Sequence, residues 1–123
     1  MARKKILLVD DSETSLLMSR MILSKANYEI VVAKDGREGL EKATTERPDL
    51  ILLDVVMPNM GGFEACRELR AHSETQGIPV IMVTTRGQEG DVETGFRSGC
   101  TDYVTKPVSG LELLTKVRSL LGQ

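Results

Sequence analysis

Short aliphatic runs alternate with helix-like segments along the whole chain, and this alternation limits the possible folds more than any other feature. The runs are Ile6–Val9, Ile30–Ala33, Leu50–Leu53, Val80–Val83 and Tyr103–Val104. The third and fourth runs contain no polar residue, which is typical of strands buried on both faces. Strands that alternate with helices form a parallel sheet covered by helices on both sides. The sequence therefore predicts an α/β fold with a parallel sheet.

The segments between the runs carry apolar residues at helical spacing. In the first, third and last segments these residues are Leu17, Met18, Met21 and Ile22; Phe63, Cys66 and Leu69; and Leu113, Leu114, Val117 and Leu121. The second segment, Gly36–Glu46, follows Asp35, which is a suitable N-cap. The fourth, residues 88–99, contains three glycines and only Val92 and Phe96 as apolar anchors. We expect a marginal fourth helix, because an interior glycine costs about 1 kcal/mol relative to alanine.

Length and composition exclude several classes of protein. A chain of 123 residues suffices for one domain and is short for two, so we expect a single domain over residues 1–123. A net charge of −2 argues against a nucleic-acid partner, which usually meets a basic surface. No apolar run approaches the roughly 20 residues that span a membrane. Cys66 and Cys100 lack metal-ligand spacing and are expected to be reduced core residues, which favours a cytoplasmic protein.

Polar side chains of a particular kind follow four of the five runs. They are Asp10 and Asp11 after the first run, Asp54 after the third, Thr84 after the fourth and Lys106 after the fifth. Because parallel strands end at the same edge of a sheet, and ligands bind at that edge, we expect these side chains to share one rim. Two carboxylates ~5 Å apart repel by roughly 3 kcal/mol near a protein surface. Oxygen ligands and this excess of negative charge indicate a Mg²⁺ site.

The formal charges indicate what such a site accepts. Three carboxylates, one divalent cation and one lysine sum to zero, which leaves room for a dianionic phosphoryl group met by Lys106 and Thr84. An aspartate is the expected acceptor, because a carboxylate attacks phosphorus without a general base. Taken singly, each residue has an ordinary interpretation: Asp11 or Ser12 as a helix cap, Asp54 in a turn, Thr84 at a strand end and Lys106 in solvent. Only their joint occurrence favours the phosphoryl site.

Four motifs in this order and spacing, VDDS, LLDVVMPNMGGFE, VTT and YVTKP, resemble the receiver domain of bacterial two-component response regulators, including the single-domain chemotaxis-type regulators. The resemblance implies a flavodoxin-like, doubly wound five-stranded sheet of order 2-1-3-4-5 with five helices. It also implies a cytoplasmic phosphoprotein that acts as a signalling switch in a phosphorelay. Such a protein takes part in its own phosphorylation and dephosphorylation and is not expected to be an enzyme. The start at Met1 and the end just after the fifth helical segment favour a stand-alone regulator.

The resemblance also implies a role for each residue of the rim. Asp54 would be the phosphoacceptor, and Lys106 would pair with the phosphoryl group. Asp11 and Asp54 would bind Mg²⁺ directly, together with the backbone carbonyl of Val56. Asp10 would act on the ion through water.

The remaining implications concern how the phosphorylated state is read. Thr84 would swing toward the phosphoryl group, and Tyr103 would then turn inward; an ordinary half-buried strand aromatic is the alternative for Tyr103. The Lys106–Pro107 bond would be cis. The phosphodonor would be a histidine kinase or a histidine phosphotransfer protein. The face formed by helix 4, strand 5 and helix 5 would bind an unknown downstream protein, with the chain as a monomer or a phosphorylation-dependent dimer.

A few positions depart from the usual pattern of the family. Gly61 stands where an aspartate is frequent, and the pair Gly61-Gly62 is expected to keep the turn but loosen it. Val56 and Arg86 occupy positions that tune the access of the hydrolytic water. Because an apolar Val56 does little to orient that water, we expect a fairly long-lived phosphorylated state.

Two other functions compete with the phosphorylated switch. One is a pseudo-receiver, a protein-interaction module that works without phosphorylation; the intact set of site residues argues against it. The other is a phosphohydrolase of the haloacid-dehalogenase type, which usually has a second aspartate two residues after the first. Val56 occupies that position here, which argues against this second function.

Overall fold

The computed structural model describes residues 3–85 and 89–123. The strands within these ranges are β1 (Lys5–Val9), β2 (Glu29–Ala33), β3 (Leu50–Asp54), β4 (Val80–Thr85) and β5 (Asp102–Lys106). The helices are α1 (Glu13–Leu23), α2 (Gly36–Glu46), α3 (Gly62–Ala71), α4 (Glu89–Arg97) and α5 (Gly110–Leu120). All paired strands are parallel and their order is β2-β1-β3-β4-β5, so the predicted α/β fold and strand order are confirmed.

The sheet separates two apolar clusters, because successive side chains of a strand point to opposite faces. Leu7 and Val9 of β1 contribute to the cluster under α2 and α3, whereas Ile6 and Leu8 contribute to the cluster under α1 and α5. Every residue of the central strand β3 is buried. Burial on both faces explains why this strand reads as a continuous aliphatic run.

In the described part of the chain, side-chain oxygens cap the N-termini of three helices. Ser12 accepts a hydrogen bond from the backbone N–H of Ser15 and caps α1, and Ser109 caps α5 in the same way. Asp35 caps α2, which has the predicted bounds. These caps satisfy backbone donors that a helix start leaves free. Within the described ranges, no helix is long and apolar enough to cross a membrane.

The predicted apolar face of α1 is largely wrong. Leu17, Met18 and Met21 are exposed, the first at 59%, while Leu16 and Leu23 are buried. Leu16 and Leu23 are seven residues apart, which is close to two helical turns and places them on the same side. The segment holds so many apolar residues that more than one face has helical spacing, and periodicity alone could not choose between them.

Helix α4 also differs from expectation, because Phe96 is not a buried anchor. Its side chain is 47% exposed, whereas the neighbouring Gly95 is buried. A Cβ on Gly95 would lie 3.4 Å from the sulfur of Cys100. The helix therefore approaches the core through a glycine and presents its aromatic residue to the surface.

Candidate functional site

Three aspartates meet at the carboxyl end of the sheet. Asp54 is the last residue of β3, and Asp10 and Asp11 follow β1, which is the neighbouring strand. One carboxylate oxygen from each lies within 4.8 Å of the other two. Asp10 and Asp54 are buried, Asp54 with 6% of its surface exposed, and Asp11 is exposed. The arrangement follows from the parallel pairing of β1 with β3, which brings their ends side by side.

A lysine from the edge strand approaches two of these carboxylates. Lys106, the last residue of β5, places its Nζ 3.3 Å from Asp54 Oδ1 and 3.7 Å from Asp10 Oδ2. The other oxygen of Asp10 accepts a hydrogen bond of 2.9 Å from the backbone N–H of Ser12. Among the described residues, three carboxylates are therefore opposed by one ammonium group, so this ionised cluster keeps an excess of negative charge.

The electrostatics of Asp54 show the consequence of this excess. The pKa of Asp54 is raised from 3.8 to about 6, chiefly by burial and then by the nearby charge of Asp10. Lys106 lowers the pKa through its charge and its hydrogen bond, but only in part. At neutral pH the ionised site is therefore short of positive charge. Three clustered carboxylate oxygens, two of them from buried residues, are a donor set that fits a hard divalent cation such as Mg²⁺.

Thr84 supplies an unsatisfied hydroxyl group on the same rim. Its side chain is 1% exposed, and its Oγ1 has no hydrogen-bond partner within the described part of the chain. A buried hydroxyl without a partner costs about 1–3 kcal/mol. This cost suggests that the partner of the hydroxyl arrives with a ligand.

The strand ends differ slightly from the sequence prediction. The polar residues expected just after three of the strands belong to the strands themselves. Asp54 and Lys106 are the last residues of β3 and β5, and Thr84 is the last but one of β4. Strand pairing continues past the apolar runs, since Asp54 is opposite Val83 and Thr84 is opposite Thr105. Ladder pairing uses backbone groups, so a polar side chain does not end a strand.

The structure places the other predicted site residues as follows. Tyr103 is a half-buried residue of β5, and its ring contacts Phe96. The Lys106–Pro107 peptide bond is cis. Val56 is exposed in the loop that follows Asp54. Arg86 lies outside the described residues.

Gly62, the first residue of α3, lies beside the site in a close contact that the sequence analysis did not predict. A Cβ at this position would lie 2.2 Å from the carbonyl oxygen of Asp54 and 2.9 Å from the Cα of Val55. The Gly62 N–H also donates a 2.8 Å hydrogen bond to the carbonyl of Val55. Gly62 is thus tightly packed against the backbone of Asp54. Gly61 supplies no side-chain cap to α3, and the expectation that the glycine pair loosens the turn stays a prediction. The glycine pair was the only signal, and it could not show this close approach.

A comparison with protein families identifies the class of protein. The chain belongs to the response regulator receiver domain family, whose model matches residues 6–118. Receiver domains are phosphorylation-controlled switch modules of two-component response regulators, and they are signalling modules rather than classical enzymes. As a class they bind Mg²⁺ in an acidic site and interact with histidine kinases and phosphotransfer proteins.

Individual relatives support the same assignment. Protein PilH of Pseudomonas aeruginosa is 43% identical over 118 residues, which are 96% of this chain and 98% of PilH. The structure of the Vibrio cholerae chemotaxis protein CheY4 matches with a TM-score of 0.89 and 38% identity, covering 98% of this chain and 100% of CheY4. The receiver domain of the Pseudomonas aeruginosa sensor histidine kinase PA1611 holds a magnesium ion in its active site cleft. It matches with a TM-score of 0.91 and 30% identity, over 99% of this chain and 100% of that domain.

Several other curated relatives are much longer proteins. The chain spans about half the length of the transcriptional regulators that it matches and about a quarter of the response regulator PleD. The receiver domain is therefore found both nearly alone, as in PilH, and as one part of larger proteins.

Proposed function

We propose that this chain works over residues 1–123 as one receiver domain, which accepts a phosphoryl group on Asp54 and thereby changes its affinity for a partner protein. The observation that carries the proposal is the buried Asp54, whose carboxylate lies beside Asp10 and 3.3 Å from the ammonium of Lys106. A pKa near 6 leaves this carboxylate ionised and nucleophilic at neutral pH.

The donor set also supports a bound Mg²⁺. Asp11 and Asp54 would hold the ion directly with the backbone carbonyl of Val56, and Asp10 would act through water. When bound, Mg²⁺ would supply the positive charge that the carboxylates lack and that a transferring phosphoryl group requires.

The transfer itself is a displacement at phosphorus. An oxygen of Asp54 forms a bond to the phosphorus of a phosphohistidine while the phosphorus–nitrogen bond breaks. The imidazole leaves with the bonding electrons and stays neutral when its other ring nitrogen carries a proton. Lys106 then shifts from the carboxylate to a phosphoryl oxygen. The Thr84 hydroxyl, which has no partner among the described residues, donates a hydrogen bond to another phosphoryl oxygen.

The phosphoryl group would come from a histidine kinase or a histidine phosphotransfer protein in the cytoplasm. Both cysteines are free and buried, as is usual in that reducing compartment. A downstream protein would recognise the phosphorylated state on the face formed by α4, β5 and α5. The chain would act as a monomer or as a phosphorylation-dependent dimer. Helix α4 is suited to rearrange, because its few apolar residues and its glycines anchor it weakly.

Intact-mass measurement tests this function directly. The wild type is incubated with acetyl phosphate, with Mg²⁺ or with a chelator, and we expect one phosphoryl adduct that needs Mg²⁺. Asp54→Asn should remove the adduct. Asp35→Asn is the matched control, because it removes a carboxylate from a neighbouring loop while asparagine still caps α2.

Two results would contradict the proposal. An adduct that persists in Asp54→Asn would place the chemistry elsewhere. The second result is a wild type that forms no adduct in the presence of Mg²⁺ and does not respond to a beryllofluoride mimic. This result would favour the pseudo-receiver.

A further inference from the structure

A lysine of α5 reaches around the edge of the sheet to an aromatic residue on the other side. Helix α5 packs on the α1 side through Leu113 and Val117, whereas Tyr103 packs against the cluster under α2 and α3. Strand β5 lies at one edge of the sheet, so no strand of the described residues separates the two. The Nζ of Lys116 lies 4.9 Å from the centre of the Tyr103 ring and donates a 2.6 Å hydrogen bond to the Tyr103 carbonyl. One ammonium group thus contacts both the backbone and the ring of Tyr103.

Asp102 fixes this ammonium group in place. Its Oδ1 lies 3.1 Å from the Nζ of Lys116 and also accepts a 2.8 Å hydrogen bond from the backbone N–H of Tyr103. Glu112, one turn earlier on α5, lies 3.8 Å from the same Nζ. The side chain of Lys116 is only 23% exposed. Lys116 is therefore held by several partners at once and is not a freely solvated lysine.

A second contact reaches the Tyr103 ring from α4. The rings of Phe96 and Tyr103 are 5.8 Å apart and nearly perpendicular, at 88°. Edge-to-face pairs of this kind stabilise a defined ring position beyond the area that they bury. Residues from both helices of the proposed output face therefore hold the same ring.

Tyr103 also lies close to Thr84 of the site in the pairing of β4 with β5. Thr84 is paired with Thr105, which lies two residues after Tyr103 on β5, so Thr84 and Tyr103 point to the same face of the sheet. Neighbouring strands are about 4.8 Å apart and two residues of a parallel strand rise ~6.6 Å, so Thr84 and Tyr103 are roughly 8 Å apart, within reach of an aromatic side chain. A movement of Thr84 toward a phosphoryl group would change the space next to Tyr103.

We propose that Lys116 is a positioning residue that, with Phe96, holds Tyr103 in its half-exposed position and so sets how readily the domain switches. The inference rests on the proposed function. Any ligand that favours a different Tyr103 position must first break the contacts with Lys116 and Phe96. Weakening these contacts should therefore shift the unphosphorylated domain toward the switched state and raise its affinity for a phosphoryl mimic.

The test compares variants that differ in the ammonium group. Lys116→Met keeps an apolar stem but removes the donor and the charge, whereas Lys116→Arg keeps a cation that can stack on the ring. Lys25→Met removes an exposed lysine that lies outside these contacts. Phe96→Leu removes the edge contact from an exposed position and should fold normally.

Two measurements report on the contact and on the switch. The chain has two tyrosines, so a protein labelled with ¹³C-tyrosine gives resolved ring signals for Tyr103 and for Tyr28, which serves as an internal reference. The first measurement is the position of the Tyr103 ring signal, recorded without a phosphodonor. The second is the apparent affinity for beryllofluoride in the presence of Mg²⁺.

We expect Lys116→Met and Phe96→Leu to move the Tyr103 signal and to raise the beryllofluoride affinity by roughly three- to tenfold. Lys116→Arg and Lys25→Met should resemble the wild type. Equal affinities for the wild type and Lys116→Met, or an unmoved Tyr103 signal, would overturn this inference alone. A wild type that does not bind beryllofluoride would overturn the proposed function instead.

Discussion

Replacing Asp54 by asparagine should stabilise the metal-free protein at neutral pH and have little effect in acid. The reason is the burial of Asp54 next to Asp10, which raises its pKa from 3.8 to about 6 in the folded state. Because one pKa unit corresponds to 1.36 kcal/mol, the ionised carboxylate opposes folding by about 3 kcal/mol. Asparagine has a similar shape and cannot ionise. It therefore avoids this cost. Part of the gain is offset, because Lys106 loses its ion pair with Asp54.

The sign of the pH dependence follows from the direction of the shift. A raised pKa in the folded state means that folding takes up a proton, so the contribution of protonated Asp54 is complete below pH 3.8. This contribution is lost as the pH rises toward 6, and above that the full cost remains. The difference in the free energy of unfolding between Asp54→Asn and the wild type should therefore grow from acid to neutral pH and then level off.

Urea unfolding followed by circular dichroism measures this difference, with a chelator present at every pH. Asp35→Asn is the control, because the pKa of Asp35 is shifted in the opposite direction to that of Asp54. The hydrogen bond from the backbone N–H of Glu38 and a second one from Asn59 hold the pKa of Asp35 below its ordinary value. Its stabilising effect is present above the ordinary pKa and disappears as the pH falls through the lowered one.

A difference that stays flat, or that shrinks as the pH rises, would refute the reasoning from a buried and poorly compensated charge. The ion gives an independent check. Mg²⁺ that binds only the folded state stabilises the wild type by about 2.7 kcal/mol at a concentration one hundred times its Kd. Adding Mg²⁺ should therefore reduce the advantage of Asp54→Asn.

Three further predictions concern other parts of the site. Asp11→Asn should abolish most of the Mg²⁺-dependent rise in thermal unfolding temperature; an unchanged rise would exclude Asp11 as a ligand. Gly62→Ala should cost about 1–3 kcal/mol and slow phosphorylation, because the new methyl group displaces the backbone of Asp54. Gly77→Ala, which meets nothing within 4 Å, should stay within ~0.5 kcal/mol in the same urea titrations. Val56→Asn should shorten the lifetime of the phosphorylated state in a phosphate-release assay, and an equal lifetime would count against the role of Val56.

The elements that local chemistry determines were predictable from the sequence. Helix α2 has the predicted bounds because Asp35 caps it, and a residue in a left-handed conformation, Arg47, ends it. The shared rim was predictable because parallel strands end at one edge. The buried face of α1 was not predictable, since Leu16 and Leu23 face the core only through the position of the helix on the sheet.

Other features depend on how distant segments approach each other. The fit of Gly62 against Asp54 arises from two backbones that no periodicity relates. The contact of Lys116 with Tyr103 exists because β5 is an edge strand, which is a property of the whole sheet. A sequence shows which residues are present at such points, but the distances follow only from the assembled fold.

Two costs at the rim are relieved by the same event, and this links the chemistry to the switch. Ionised Asp54 costs about 3 kcal/mol, and the hydroxyl of Thr84, which has no partner among the described residues, costs about 1–3 kcal/mol. A metal ion together with a phosphoryl group would offset both. Reversing a two-state equilibrium from 1:99 to 99:1 takes about 5.5 kcal/mol of difference in binding between the two conformations, so only relief that depends on the conformation contributes. The Thr84 hydroxyl would contribute in this way if it reaches the phosphoryl group only after it moves. Contacts of roughly 1 kcal/mol, such as the one between Lys116 and Tyr103, are comparable with the Thr84 term and are therefore large enough to shift the equilibrium.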